Sequence, residues 1–237
     1  MSVKKQPPRK PFIHTLYEAP KSGQEIEEWS FAIIDGEAPP HSFAAAEWQV
    51  VRRMIHTTGD FGVMESVKFS PRAIPAAIGA LKAGRPIYAD SNMIRSGLSM
   101  ERLRTACGRY SPENIFCHIA DPDVAEDARE SGLPRSLFAV RKAKQILQGG
   151  IAVFGNAPVA LLELNRMIIE EDIRPAFVIA MPVGFVHVTE SKEEIMSLNI
   201  PYIALTGRRG GSAIAVSVIH ALCSLAASQA GGKNDEC

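Results

Sequence analysis

The stretch GIAVFGNAP, residues 150–158, decides how this chain folds. Four apolar residues, Ile151 to Phe154, form a run of strand length. Gly155 and Asn156 then break it, and Pro158 opens the helical run that follows. A proline is tolerated in a first helical turn because its missing N–H would be unpaired there anyway. Asn156 is placed to cap that helix or to present its amide to a ligand, and local sequence favours the cap.

The same grammar recurs outward from this stretch. AFVIAMPVG (176–184) and PYIALTGRRGG (201–211) read as strands ending in glycine, and SAIAVSVIHALCSLAASQA (212–230) reads as the last helix. Upstream, PIYAD (86–90) and NIFCHIADP (114–122) read as buried strands, and DVAEDARESG (123–132) as a helix. AIPAAIGALKAG (73–84) is helical provided Pro75 lies in its first turn. SFAAAEWQVVRRMIHTTG (42–59) carries apolar residues at Ala46, Val50, Met54 and Ile55, with Gly59 as its stop. Strands alternating with helices predict an α/β fold: one domain over residues 12–230, with a mainly parallel sheet and helices on both faces. Residues 1–11 and 231–237 read as flexible tails, the first of them basic.

Composition narrows the function. In 237 residues, 26 basic side chains balance 26 acidic ones, so no global field points to nucleic acid or to an anionic membrane surface. The four cysteines, Cys107, Cys117, Cys223 and Cys237, form no CxxC pair and no zinc-ligand spacing, which suits reduced thiols in a cytoplasmic protein. The basic, proline-rich start has no apolar run behind it, and no long uninterrupted apolar segment suggests a membrane span. The expectation is a soluble protein with neither nucleic-acid nor membrane partners.

In parallel sheets the ligand crevice lies beyond the carboxyl ends of the strands. This chain places Asp90 and Ser91, Asp121, Gly155 to Ala157, Pro182 to Gly184 and Thr206 to Arg209 there. TGRRGGS (206–212) combines glycines, two arginines and a helix start, a receptor for carboxylate or phosphate through Arg208, Arg209, Gly210 and Gly211. It matches neither GxxxxGK[ST] nor GxGxxG, so a nucleotide site is poorly supported. Gly184 follows a strand where backbone could approach something bulky, or simply turn. Arg135, in SGLPRSLFAV (131–140), reads on its own as solvated. His56, in RRMIHTTGDFG (52–62), sits where a helix ends. A cation there suits the helix dipole, which is the structural reading. An imidazolium near neutral pH is also what a general acid needs, with Asp60 available to orient it.

IHTTGDF, GNAPVALL, MPVGFVHVTESK and GRRGGS, in that order and at these intervals, resemble the precorrin-8 methylmutase family of corrin biosynthesis. YADSNMIRSGL, FCHIADP and GLPRSLFAV resemble the family's strand-end segments, so the likeness runs from about APKSGQEIEEWSFAII to the last helix. HTTGDF is closer to the cobalt-dependent branch than to the aerobic one, where HACGM is usual. The resemblance implies an intramolecular methyl migration from ring carbon 11 to ring carbon 12, converting cobalt-precorrin-8 to cobyrinate or precorrin-8X to hydrogenobyrinate. It implies a cytoplasmic homodimer, His56 as the acid, and a site drawing on Thr57, Asp90, Ser91, Arg135, Asn156, Gly184 and the GRRGG loop. It implies no metal ligand and no cofactor, since any cobalt travels with the substrate. A non-catalytic corrinoid carrier, a nucleotide-dependent enzyme and a structural dimer module are the competing readings. His187 departs from the family, which carries a small residue there.

Overall fold

The computed structural model describes residues 10–231. The tails expected at 1–11 and 231–237 lie outside the described residues except for residues 10, 11 and 231. Contacts divide the chain after Pro39. The N-terminal unit holds the helices His14–Glu18 and Gly23–Glu37, the second started by a reciprocal cap between Ser22 and Glu25. Among the described residues, every strand belongs to the unit that begins at Pro40.

Six strands, β1 (Val67–Phe69), β2 (Ile87–Ala89), β3 (Ile115–Phe116), β4 (Ile151–Phe154), β5 (Phe177–Ala180) and β6 (Tyr202–Leu205), form one sheet in the order β1-β6-β5-β4-β2-β3. β2 to β6 run parallel, in register Ile87 with Ile151, Ile151 with Phe177, and Val178 with Tyr202. β1 pairs antiparallel with β6, Val67 opposite Leu205. The α/β expectation holds, with this short antiparallel edge added. β4 and β5 are buried along their whole length, as strands covered on both faces must be.

Alternation of side chains assigns the faces. Ala152, Phe154, Val178, Ala180 and Ala204 pack with Leu161, Leu164 and Ile168 of the Pro158–Glu171 helix and with Ile195 of the Val188–Ser197 helix. The Ser212–Gly231 helix lies against β4 and β5 together with the helices Ala45–Thr58, Ala73–Lys82 and Met100–Ala106. Each fully buried aliphatic side chain in these layers contributes about 1.5–3 kcal/mol. Ser212–Gln229 is long and apolar enough to cross a membrane by composition, but 67% of that window is buried inside the protein. Pro75 is the third residue of its helix, as the first-turn expectation required.

The chain leaves β2 through the helices Asn92–Gly97 and Met100–Ala106, packed with the Ser212–Gly231 helix. It leaves β4 through Pro158–Glu171 on the other face. Neighbouring strands whose exits diverge open a crevice at their carboxyl ends.

Candidate active site

Asp90 sits at that divergence, 1% exposed. Its Oδ1 accepts from the Gly155 amide at 3.1 Å, and its Oδ2 from Asn156 and Ala157 at 2.9 and 2.8 Å. Burial pushes the carboxyl up to about 6, against the pull of the amides of Ala157, Asn156 and Gly155. Asp90 thereby pins the β2 and β4 exits together at the floor of the crevice. The expected cap by Asn156 is not formed. Ala157, not Asn156, is the N-cap of the Pro158–Glu171 helix, and its methyl side chain provides no cap, while Asp90 holds the amides of the turn that leads into the helix. Asn156 is exposed, and its side chain has no protein partner among the described residues. Ser91 turns inward, its Oγ accepting from Ile94 N–H and lying 3.1 Å from the Ser212 Oγ, which ties this exit to the start of the last helix.

The Ala45–Thr58 helix buries Val50, Val51, Met54 and Ile55 and ends at Gly59, whose φ of 64° and amide bond to the Ile55 carbonyl close its last turn. That stop leaves His56, Thr57 and Thr58 exposed at the helix end. Asp60 follows, its Oδ1 accepting from the Gly62 amide at 2.7 Å and its Oδ2 from Arg209 Nη1 at 2.7 Å. The histidine motif and the arginine loop, far apart in sequence, are therefore joined directly. Gly62 makes this possible: a Cβ there would lie 2.5 Å from Arg209 Nη1.

The loop after β6 packs against the loop after β5. Gly211 donates to the Met181 carbonyl, and a Cβ on Gly210 would sit 2.2 Å from that same oxygen. Gly211 (φ 133°) and Gly184 (φ 144°) occupy backbone conformations that favour glycine. The Gly184 amide meets the Arg208 carbonyl at 3.4 Å, and the Arg208 guanidinium stacks 5.2 Å from the centroid of the exposed Phe185 ring. Val183, Gly184, Phe185, Arg208, Arg209 and Asp60 edge a hollow of about 420 Å³. Arg53, Thr57, Met93, Ser212, Val216 and His220 edge a second of about 340 Å³. The start of the last helix contributes to both hollows, through Ser212 to one and Ile214 to the other. His56 lines neither, while its neighbours Thr57 and Thr58 line one each. Arg135 is exposed at the first position of the Arg135–Lys142 helix and also lines neither.

Two further groups escaped the sequence reading. Phe185 supplies the aromatic edge. Lys192 is completely buried and donates to the carbonyls of Gly207 at 2.9 Å and Arg209 at 2.6 Å, and burial brings its ammonium down to about 8. The signal was present in the spacing: Val188, Ser191, Lys192 and Ile195 form the inward stripe of their helix, so a lysine falls where an apolar residue is expected. His187 takes up a left-handed φ of 56° at the start of the same helix, a conformation that favours glycine or asparagine.

The family model described as precorrin-8X methylmutase matches residues 25–225. The chain is 48% identical over 209 residues to the cobalt-precorrin-8 methylmutase of Leptospira interrogans, covering 84% of this chain and 92% of that one. It is 37% identical to the precorrin-8X methylmutase of Pseudomonas aeruginosa, covering 85% and 95%. The crystal structure of a precorrin-8x methyl mutase from Thermus thermophilus superposes with a TM-score of 0.79 at 44% identity, over 90% of this chain and 100% of that one.

Proposed function

The chain belongs to the precorrin-8X methylmutase family, and from that premise we propose that His56 protonates a cobalt-containing precorrin-8 held across the rim formed by the loops after β5 and β6. It is an isomerase of cobalamin biosynthesis that moves a methyl group within one molecule. The shift takes the methyl from ring carbon 11 to ring carbon 12 and yields cobyrinate, or hydrogenobyrinate from the metal-free substrate.

The chemistry suits the residues. A suprafacial 1,5-shift transfers nothing between molecules, so it calls for no methyl donor, redox partner or metal ligand from the chain, and cobalt is part of the substrate. It is helped by a proton delivered to the conjugated system near the migrating carbon, worth about 100- to 10,000-fold from a positioned acid. The remainder comes from a surface complementary to the transition state. The substrate's rim of acetate and propionate carboxylates calls for cationic and N–H donors, which Arg208, Arg209 and the glycine-rich loop provide. Phe185 and the backbone around Gly184 offer the flat apolar surface that a macrocycle needs. A larger hollow, about 580 Å³, is lined by Asp123, Asp127, Glu130, Arg141 and Lys142, lacks the glycine-rich loops after β5 and β6, and has its Lys142 ammonium already paired with Asp123.

The observation that carries the assignment of the acid is the Asp60–Arg209 bond, which fixes the exposed end of the His56 helix against the anion-receiving loop. We further read residues 12–230 as one methylmutase domain, since the family match at 25–225 crosses the division at Pro39. A cytoplasmic homodimer is part of the same proposal, with Arg135 and Asn156 as rim contacts to the substrate. The branch assignment rests on HTTGDF and on the 48% identity to a cobalt-precorrin-8 methylmutase. Incubation with cobalt-precorrin-8 and with metal-free precorrin-8 tests it: faster conversion of the cobalt form is expected, and faster conversion of the metal-free form overturns the assignment.

A further inference from the structure

A buried ammonium needs either a counter-charge or several well-made hydrogen bonds. Among the described residues Lys192 has no carboxylate partner. It has the two carbonyls of Gly207 and Arg209, at 2.9 and 2.6 Å. None of the described peptide bonds is cis. In a trans peptide the N–H points opposite to the C=O. The amides of Arg208 and Gly210 are therefore turned away from Lys192, and neither donates to a protein acceptor among the described residues. The next amide in the loop, that of Gly211, is already committed to the Met181 carbonyl. The neighbouring arginines are held at the same rim, Arg209 by one Nη1 bond to Asp60 and Arg208 by packing over Phe185, and both keep N–H groups for the other substrate carboxylates. A cation on the carbonyl side of a peptide polarises it and strengthens the N–H on the other side.

We propose that Lys192 is a positioning residue that turns the amides of Arg208 and Gly210 outward as a paired receptor for one substrate carboxylate, with its own buried charge behind them. The inference rests on the polycarboxylate substrate argued above. Gly210 fits the same design, since a side chain there would collide with the Met181 and Pro182 carbonyls and force the peptide out of place.

The test uses the full-length ¹⁵N-labelled protein, titrated with cobyrinate and separately with fully esterified cobyrinate. On adding cobyrinate the Arg208 and Gly210 amide protons move downfield, and on adding the ester they do not. Lys192→Met weakens cobyrinate binding about 10- to 100-fold, the loss expected for charge-assisted hydrogen bonds, and narrows the preference for acid over ester. In turnover the same variant raises KM while kcat stays close to wild type. Cobyrinate shifts that appear elsewhere but spare these two amides overturn the inference while leaving the proposed function standing. Equal affinity in Lys192→Met and wild type overturns it as well. An absence of shifts anywhere removes corrinoid binding itself, and this inference with it. Should Lys192→Met fail to fold, the wild-type amide shifts decide the matter alone.

Discussion

Asp60 holds Arg209 at 2.7 Å and the Gly62 amide at 2.7 Å, so the exposed end of the His56 helix and the loop after β6 form one bracket. Both side chains are about half exposed, at 46% and 56%, and an ion pair of that kind contributes less than about 1 kcal/mol to stability. Its value lies in position. Asp60→Asn, which keeps an acceptor for Gly62, is expected to leave thermal stability nearly unchanged while raising KM. Steady-state kinetics beside a melting curve separate the two effects, and a large fall in melting temperature would contradict the reading.

Two glycine substitutions should behave oppositely. A Cβ at Gly62 meets Arg209 Nη1 at 2.5 Å and Asp60 Oδ1 at 2.9 Å, both at the ends of side chains that can move. Gly62→Ala therefore disrupts the bracket and costs less than about 1 kcal/mol in stability. A Cβ at Gly210 meets the carbonyl oxygens of Met181 and Pro182 at 2.2 and 2.6 Å, which cannot move without disturbing the end of β5. Gly210→Ala is expected to lose about 3 kcal/mol. Denaturant unfolding of the two variants checks the contrast.

Asp90→Ala leaves the amides of Gly155, Asn156 and Ala157 without their acceptor at the crevice floor. A loss of about 3 kcal/mol is expected from unsatisfied buried donors. Asp90→Asn, retaining one acceptor oxygen, should lose less. Urea midpoints measure both, and an Ala variant as stable as wild type would show that water replaces the carboxylate without penalty.

Lys192 makes stability depend on alkaline pH in a defined direction. Its ammonium, brought down to about 8 by burial, lies below the ordinary value of 10.5. Between those values the unfolded chain still carries the proton that the folded protein has released, so stability rises with pH across the window. The difference in unfolding free energy between wild type and Lys192→Met should therefore move in favour of wild type from pH 8 to 10.5. A flat difference would mean that Lys192 titrates like a solvated lysine.

Much of this was legible in the sequence because it is local. Apolar runs at Ile87, Ile151, Phe177 and Tyr202 begin strands, and Gly59 and Gly132 end helices with positive φ, each for reasons contained within a few residues. What escaped was non-local or very short. β1 has only three residues and exists because Val67 finds Leu205. Asn156 reads as the cap of the Pro158–Glu171 helix, yet no side chain caps that helix, and the turn before it is held by Asp90, 65 to 67 residues earlier, which nothing near Asn156 announces. The rim of the site was readable for the same reason as the strands, since strand ends fix its residues. The division of labour along the rim was not, because it depends on which groups pair across loops: Arg209 with Asp60, Arg208 with Phe185, Lys192 with two carbonyls.

The most direct measurement is turnover and corrinoid binding by His56→Ala, followed on cobalt-precorrin-8. The account predicts that conversion to cobyrinate falls by at least about 100-fold, the lower end of what a positioned acid supplies, while cobyrinate still binds with near wild-type affinity. Conversion at the wild-type rate in that variant would contradict it.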